Sequence, residues 1–195
     1  HTIILPAILM GAGEYNLPYD VVANEYLNFS GKQFSKSENW AVWVSDFLKE
    51  YDSESLRYYL SSIMPESSDS DFTWDSFFDS NNNELVATFG NLVNRIQSLI
   101  KSNFNNVVPQ NKNLDEIDNN MITDIKKSFE STGNFLEKRQ FRNGLKEIMN
   151  LAKLGNRYID QKEPWSTVKT NSQLASNTLW VGANLISNLG VLIAP

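Results

Sequence analysis

Gly31-Lys32-Gln33-Phe34-Ser35-Lys36-Ser37 is the stretch from which the rest of the chain can be read, because no other segment combines flexibility, positive charge and hydroxyls so densely. It follows Val21 to Phe29, whose aromatic and aliphatic content predicts a strand, with Asn28 to Gly31 as a turn. It precedes Glu38-Asn39-Trp40, where a helix is expected to begin. A lysine between two serines on a strand-to-helix loop has an electrostatic use. The ammonium is a mobile point charge, and the hydroxyls and loop N–H groups donate to phosphate oxygens. On this reading the loop is a phosphate clamp; composition alone does not separate it from an ordinary solvated basic loop.

Downstream, apolar residues at 40, 43, 44, 47, 48 and 51 have the spacing of a helix. Asp52 offers an N-cap for a second helix through Ser61, whose Tyr58 and Tyr59 are assigned to the core. Pro65 and the polar run Glu66 to Asp71 end this pair, and Thr73 caps the next helix. Asn83 to Lys101 carries Leu85, Phe89, Leu92, Ile96 and Leu99 on one stripe. Asn91 and Arg95, at i and i+4, share a ridge at its edge, where an amide and a guanidinium can be presented to base edges. An ordinary solvated helix edge has the same spacing.

Ser102 to Asn120, Asn-rich with Pro109, reads as a connector, and Met121 to Phe129 begins a fourth helix. In Glu137 to Asp160, Phe141, Leu145, Ile148, Ala152 and Ile159 fall within a narrow arc, with Arg139, Arg142, Lys146, Lys153 and Arg157 opposite. Pro164 stops this helix and leaves Trp165 on a short post-helix segment, as a stacking platform for a base if exposed and as core if buried. Ser172 to Ala194 forms the last helix. At the other end, His1 to Met10 reads as a buried helical segment without a cap, the opening of a fragment. The single strand before the loop is expected to find its sheet partners upstream of this chain.

The 195 residues are 41% hydrophobic and 12% aromatic, enough for a real core. With no cysteine, a disulfide and a thiolate zinc site are excluded within these residues. The apolar run Ile3 to Met10 is far short of the roughly 20 residues needed to span a bilayer, and nothing else points to a membrane. A net charge of -6 argues against a general nucleic-acid binder, yet residues 121–195 carry ten Lys and Arg against six Asp and Glu. RNA contact by simple charge is therefore expected in the C-terminal helices, with Lys32 and Lys36 as a separate island. No Ser/His/Asp set, Cys/His pair, metal-ligand cluster or Gly-rich phosphate motif is present. The chemistry left is one of positioning and charge stabilisation.

Gln33-Phe34-Ser35-Lys36-Ser37 resembles the KMSKS signature of class I aminoacyl-tRNA synthetases, and its flanks narrow the resemblance to the methionyl-tRNA synthetase family. The resemblance runs through His1-Thr2-Ile3-Ile4-Leu5-Pro6-Ala7, Ser55-Leu56-Arg57-Tyr58-Tyr59-Leu60, Asn91-Leu92-Val93-Asn94-Arg95 and Asn156 to Trp165. Gln33 departs from it at the first signature lysine, and Leu5 stands where many relatives carry a tryptophan. It implies a mainly α fold: an α-helical bundle, the anticodon-binding domain of class I synthetases, preceded by the C-terminal tail of a Rossmann-like α/β catalytic domain. The implied divisions are residues 1–38, the tail with the loop; 39–70, connecting helices; and 71–195, the anticodon-binding domain.

The activity implied is ATP-dependent activation of methionine and its transfer to tRNA(Met) by a full-length cytoplasmic enzyme, this fragment alone being inactive. Lys36 is the implied catalytic residue, with Gln33, Phe34, Ser35 and Ser37 completing the ATP loop. His1 is placed in the methionine pocket, and Asn91, Arg95 and Trp165 at the anticodon. Mg2+ accompanies ATP, and zinc is expected only in a part upstream of this chain. The alternative is a non-catalytic RNA-binding helical module, as in tRNA-binding cofactors; a different class I synthetase with a similar bundle is a third reading.

Overall fold

Residues 2–194 are described by the computed structural model. They form two cores, a small aromatic one around a short sheet and a large aliphatic one within a helical bundle. The sheet has the order β2-β1-β3, with β1 at Leu27–Phe29, β2 at Lys32–Gln33 and β3 at Ser70–Phe72. β1 pairs antiparallel with β2, Phe29 facing Lys32, and parallel with β3, Phe29 facing Phe72. Both partners of the strand thus lie inside the chain, which corrects the expectation that they precede it. The strand is also shorter than Val21 to Phe29, because just before it the backbone bonds to irregular segments, the Glu25 N–H donating to the Pro65 carbonyl and the Tyr26 N–H to Asp69 Oδ1. β3 comes from the polar run read as a connector. Backbone pairing needs no apolar pattern, and only Phe72 of β3 is buried.

Phe72 joins Phe47, Leu56, Tyr59 and Phe77 in the aromatic core, its ring edge-on to Tyr59 at 5.2 Å. The core ties the sheet to α2 (Val44–Glu50), α3 (Ser53–Ser62) and α4 (Trp74–Ser80), and its packing continues without a break past residue 70. Asp52 caps α3 as expected; hydrogen bonds from the Ser55 hydroxyl and N–H hold its carboxyl below the usual range. Thr73 caps α4 by accepting from the Ser76 N–H. Tyr58 and Tyr59 are buried. The Tyr58 hydroxyl donates to Glu84 at 2.5 Å, and burial with that carboxylate pushes the phenol's pKa well above its ordinary value.

α4 runs through a π-helical segment, Asn81–Gly90, directly into α5 (Asn91–Asn103). The wider i→i+5 turn rotates the apolar stripe. Leu85, Phe89 and Leu99 are only half-buried, and the deep positions are Leu92, Ile96 and Ile100. The connector ends at Asp115, which makes a capping box with Asp118 and starts α6 (Glu116–Glu137) ahead of its apolar residues. α7 (Phe141–Lys162) comes after a tight turn in which Arg139 has a φ of 60° and pairs with Asp20 at 3.1 Å. The basic face of α7 therefore begins at Arg142. α8 (Pro164–Thr170) and α9 (Ser172–Ile193) complete the bundle.

α9 is its axis, with Val181, Leu185 and Leu189 wholly excluded from solvent against Leu92 and Ile96 of α5 and Ile148, Ala152 and Ile159 of α7. The opening helix α1 (Ile4–Ala12) has no buried residue, contrary to the expectation of a buried segment. Its apolarity states what the helix needs, and only Pro6 and Leu9 are half-buried. No helix of the described residues is long and apolar enough to cross a membrane.

α7 meets α9 and α5 at Gly155, where an added Cβ would stand 2.4 Å from Leu185 Cδ2 and 2.9 Å from Leu92 Cδ2. Both leucines are fully buried, so neither can swing into solvent. Gly155→Val is expected to destabilise the bundle by about 1–3 kcal/mol through overpacking. The check is a lower midpoint in urea with an unchanged slope; Gly133→Ala, which meets open space, should not lower it.

Candidate functional site

The basic loop from Gly31 to Ser37 is built by two successive chain reversals. Ser30 and Gly31, at φ values of 49° and 78°, supply the left-handed pair that a two-residue hairpin between twisted strands requires. The Gly31 N–H donates to both carboxylate oxygens of Asp71, each at 3.0 Å, which pins this turn to the middle residue of β3. Beyond β2, Ser35 and Trp40 exchange two backbone hydrogen bonds of 2.9 Å. Lys36, Ser37, Glu38 and Asn39 form the tip between them, with Asn39 at a φ of 52°. The stretch is thus a bridged turn, not the strand-to-helix loop expected, because Trp40 is used to close it. The helix consequently starts only at Val44.

Trp40 holds the turn from beneath. Its indole N–H donates to the Phe29 carbonyl at 2.9 Å, and its ring lies 5.0 Å from that of Phe29. Phe34 stacks on the same Phe29 at 5.8 Å, and Lys32 Nζ sits 5.4 Å from the Trp40 ring. Gln33 is exposed, and Lys36 and Ser37 stand exposed at the tip. The Ser35 hydroxyl is 3.2 Å from that of Ser37 and accepts from the Glu38 N–H at 3.3 Å. The arrangement presents ammonium, hydroxyl and amide groups on a rim of fixed backbone. His1 lies outside the described residues.

A second cluster assembles on the bundle around Arg95. Its guanidinium donates to Asn156 Oδ1 at 3.3 Å and to Asp160 Oδ1 at 2.5 Å, and lies 5.5 Å from the centre of the Trp165 ring. Asn156 cannot turn its amide over, since its Nδ2 donates to the carbonyls of Thr88, at 2.9 Å, and Ala152, at 3.2 Å. Thr88 belongs to the π-helical segment, so that segment reaches the cluster through its backbone. Asn91 lines the same open hollow of about 340 Å³ as Arg95, Lys153, Asn156, Arg157 and Asp160. Trp165 is 41% exposed. It lies in the first turn of α8, where the sequence suggested a short segment after a helix stop. Pro164 occupies N1, where its missing N–H costs nothing, so it starts a helix and is itself the buried residue.

The tertiary structure thus joins Asn91, Arg95 and Trp165 and adds two residues that sequence reasoning passed over. Asn156 and Asp160 lie at i and i+4 on α7, the spacing that singled out Asn91 and Arg95 on α5. Among the described residues no group of three His, Cys, Asp or Glu side chains stands ready for a metal ion.

Comparison with known proteins gives the family of the chain. Residues 1–97 match the family model described as tRNA synthetases class I (M), and residues 108–195 match the anticodon binding domain of methionyl tRNA ligase. The two models follow one another along the chain with residues 98–107 between them, and the class they define is that of the class I tRNA synthetases. Within it, the chain belongs to the methionyl-tRNA synthetase family. It is 43% identical, over its whole length, to the methionine-tRNA ligase of Pyrococcus furiosus and 45% identical to that of Thermomicrobium roseum. It spans 28% and 34% of those relatives. The fold is that of the Mycobacterium tuberculosis methionyl-tRNA synthetase bound by methionyl-adenylate, with a TM-score of 0.88 and 23% identity over 96% of this chain and 37% of that one.

The bridged turn makes a local prediction. Trp40→Leu removes the indole donor from the Phe29 carbonyl, and the loss of one hydrogen bond of about 1 kcal/mol should speed exchange of the backbone amides at positions 35 and 40 by about fivefold. Exchange at Leu179 and Leu185 in the bundle should be unaffected, and hydrogen exchange read by mass spectrometry separates the two.

Proposed function

We propose that this chain is the part of a methionine-tRNA ligase that supplies the phosphate loop of the activation site and reads the tRNA anticodon. The observation that carries the reading is Arg95 held between Asn156, Asp160 and a half-exposed Trp165 at the edge of one open hollow. A flat indole offers a stacking surface to an unstacked base, and the amide of Asn91 with the Arg95 guanidinium offers donors and an acceptor to base edges. The names of the relatives support methionine and tRNA as substrates, and ATP is the nucleotide from which an adenylate such as the methionyl-adenylate bound by the Mycobacterium tuberculosis enzyme would form. The match of residues 1–97 to a synthetase model favours the ligase over a non-catalytic RNA-binding module.

In activation, the methionine carboxylate attacks the ATP α-phosphate, the bond to the β-phosphate breaks and pyrophosphate leaves. Lys36, at the tip of the bridged turn, offsets the negative charge that grows on the phosphates. Ser35, Ser37 and the loop N–H groups contact phosphate oxygens, with Gln33 and Phe34 shaping the loop and Lys32 tethered at Trp40. His1 belongs to the methionine pocket, Mg2+ enters with the nucleotide, and any zinc belongs to another part of the protein. The enzyme works in the cytoplasm. Residues 1–38, 39–70 and 71–195 serve as catalytic tail, connecting helices and anticodon-binding domain. The exposed basic face of α7, from Arg142 to Arg157, reaches phosphates and adds affinity without choosing a sequence.

In the full-length protein, Lys36→Ala should depress methionine-dependent ATP-pyrophosphate exchange far more than it weakens methionine binding, because the charge it meets develops in the transition state. This chain alone should show no exchange; exchange by it would overturn the assignment of the reaction to a larger protein. For the hollow, Trp165→Ala should cost about 1–3 kcal/mol in binding of tRNA carrying the CAU anticodon and little with an altered anticodon. Equal weakening of both would make Trp165 a scaffold residue.

A further inference from the structure

Three residues before Trp165, α7 ends in a buried charge. The Lys162 side chain is 7% exposed, and its ammonium lies 2.6 Å from Asp115 Oδ2 and 2.9 Å from Asp118 Oδ1, the two carboxylates of the α6 capping box. Asp118 is wholly buried, and its Oδ1 also accepts from the Tyr158 hydroxyl at 2.7 Å. Tyr158 stands one turn before Lys162 on the same ridge of α7, so two side chains of that ridge converge on one carboxylate. Burial opposes the lysine's charge, but the hydrogen bonds to Asp115 and Asp118 outweigh it and raise its pKa. None of these four side chains lines the hollow around Arg95.

Immediately after Lys162 the chain makes a sharp, defined reversal. Glu163 sits in the left-handed region at a φ of 43°, and its carbonyl accepts from the N–H groups of Ser166 and Thr167. Pro164 is buried, and Trp165 comes next. A non-glycine residue in that region is strained and persists only when its surroundings impose it. The clamp on Lys162 and the burial of Pro164 grip the chain on both sides of that residue. Beyond this junction α8 packs on α9, and the indole comes to lie beside Arg95.

We propose that Lys162, clamped by Asp115 and Asp118, is a positioning residue for base recognition: it sets the α7–α8 junction so that Trp165 stands over the Arg95 guanidinium. The proposal rests on the reading of Trp165 as a base contact. An ordinary buried ion pair would affect stability alone; a positioning pair must also affect the choice between anticodons, and only through Trp165.

The test uses the full-length protein and two tRNA transcripts, one with the CAU anticodon and one with it altered, at a single salt concentration. Lys162→Met leaves Asp118 buried without its cation and risks unfolding, so Lys162→Met with Asp118→Leu, which removes both charges, is measured beside it. Urea midpoints are recorded for each. The double change is expected to reduce the preference for the cognate transcript by about fivefold or more, seen in KM for tRNA more than in kcat, while Lys162→Arg keeps most of it. In a Trp165→Ala background the same double change should reduce the preference no further. A lowered urea midpoint with intact preference, or an equal loss in the Trp165→Ala background, would overturn the proposal. An intact preference in Trp165→Ala alone would overturn the anticodon reading itself.

Discussion

The close approach of α7 to α9 across Gly155 is the constraint on which the bundle depends. Leu92 and Leu185 fill the space a side chain would need, and both are fully buried. Each large side chain taken out of water contributes about 1.5–3 kcal/mol, and α9 contributes many. This dense contact fixes α5 beside α7 closely enough for Arg95 to reach Asn156 and Asp160. The polar cluster on the surface is therefore a product of apolar packing beneath it.

The same helix collects the connector between α5 and α6. Asn177 of α9 is almost wholly buried, accepts from the Lys112 N–H and donates to the carbonyls of Lys112 and Asn113. A buried amide with every group engaged is a register mark, because sliding the loop by one residue would leave polar atoms unpaired. The loop then delivers Asp115 to the start of α6, where it meets Lys162. Apolar packing sets the helices side by side, and buried polar groups decide how the segments joining them run.

The two candidate places differ in how they are built. The turn around Lys36 is held by backbone pairing and by Trp40 beneath it, and its Lys36 and Ser37 side chains stay exposed on that rim. The hollow around Arg95 is held by side chains from α5, α7 and α8, with one carbonyl of the π-helical segment orienting Asn156. A phosphate chain is met by charge and amides, which a turn can present from its backbone. A base is met by a flat face with edge partners at a set distance, and here the indole, guanidinium and amide that would supply them stand on three packed helices.

Much of this was legible in the sequence. The Asp52 and Thr73 caps and the inward positions Ile148, Ala152 and Ile159 of α7 follow from local hydrogen bonding and side-chain period, which depend on neighbours a few residues away; Phe141, expected on the same face, is exposed at the start of the helix. The order of the motifs pointed to the family for the same reason: it is a property of the chain read in line. What the line cannot hold is pairing across it. β3 came from a polar run because its backbone, 43 residues from β1, met a free edge, and α1 was exposed because apolarity does not name its partner. Pro164 began a helix because Glu163 could turn left-handed, a choice imposed by what grips the residues on either side. Asn91, Arg95 and Trp165 could be named from the sequence, but the distance from the guanidinium to the indole, and the Asn156 and Asp160 that hold it, were decided only when α5 and α7 packed on α9.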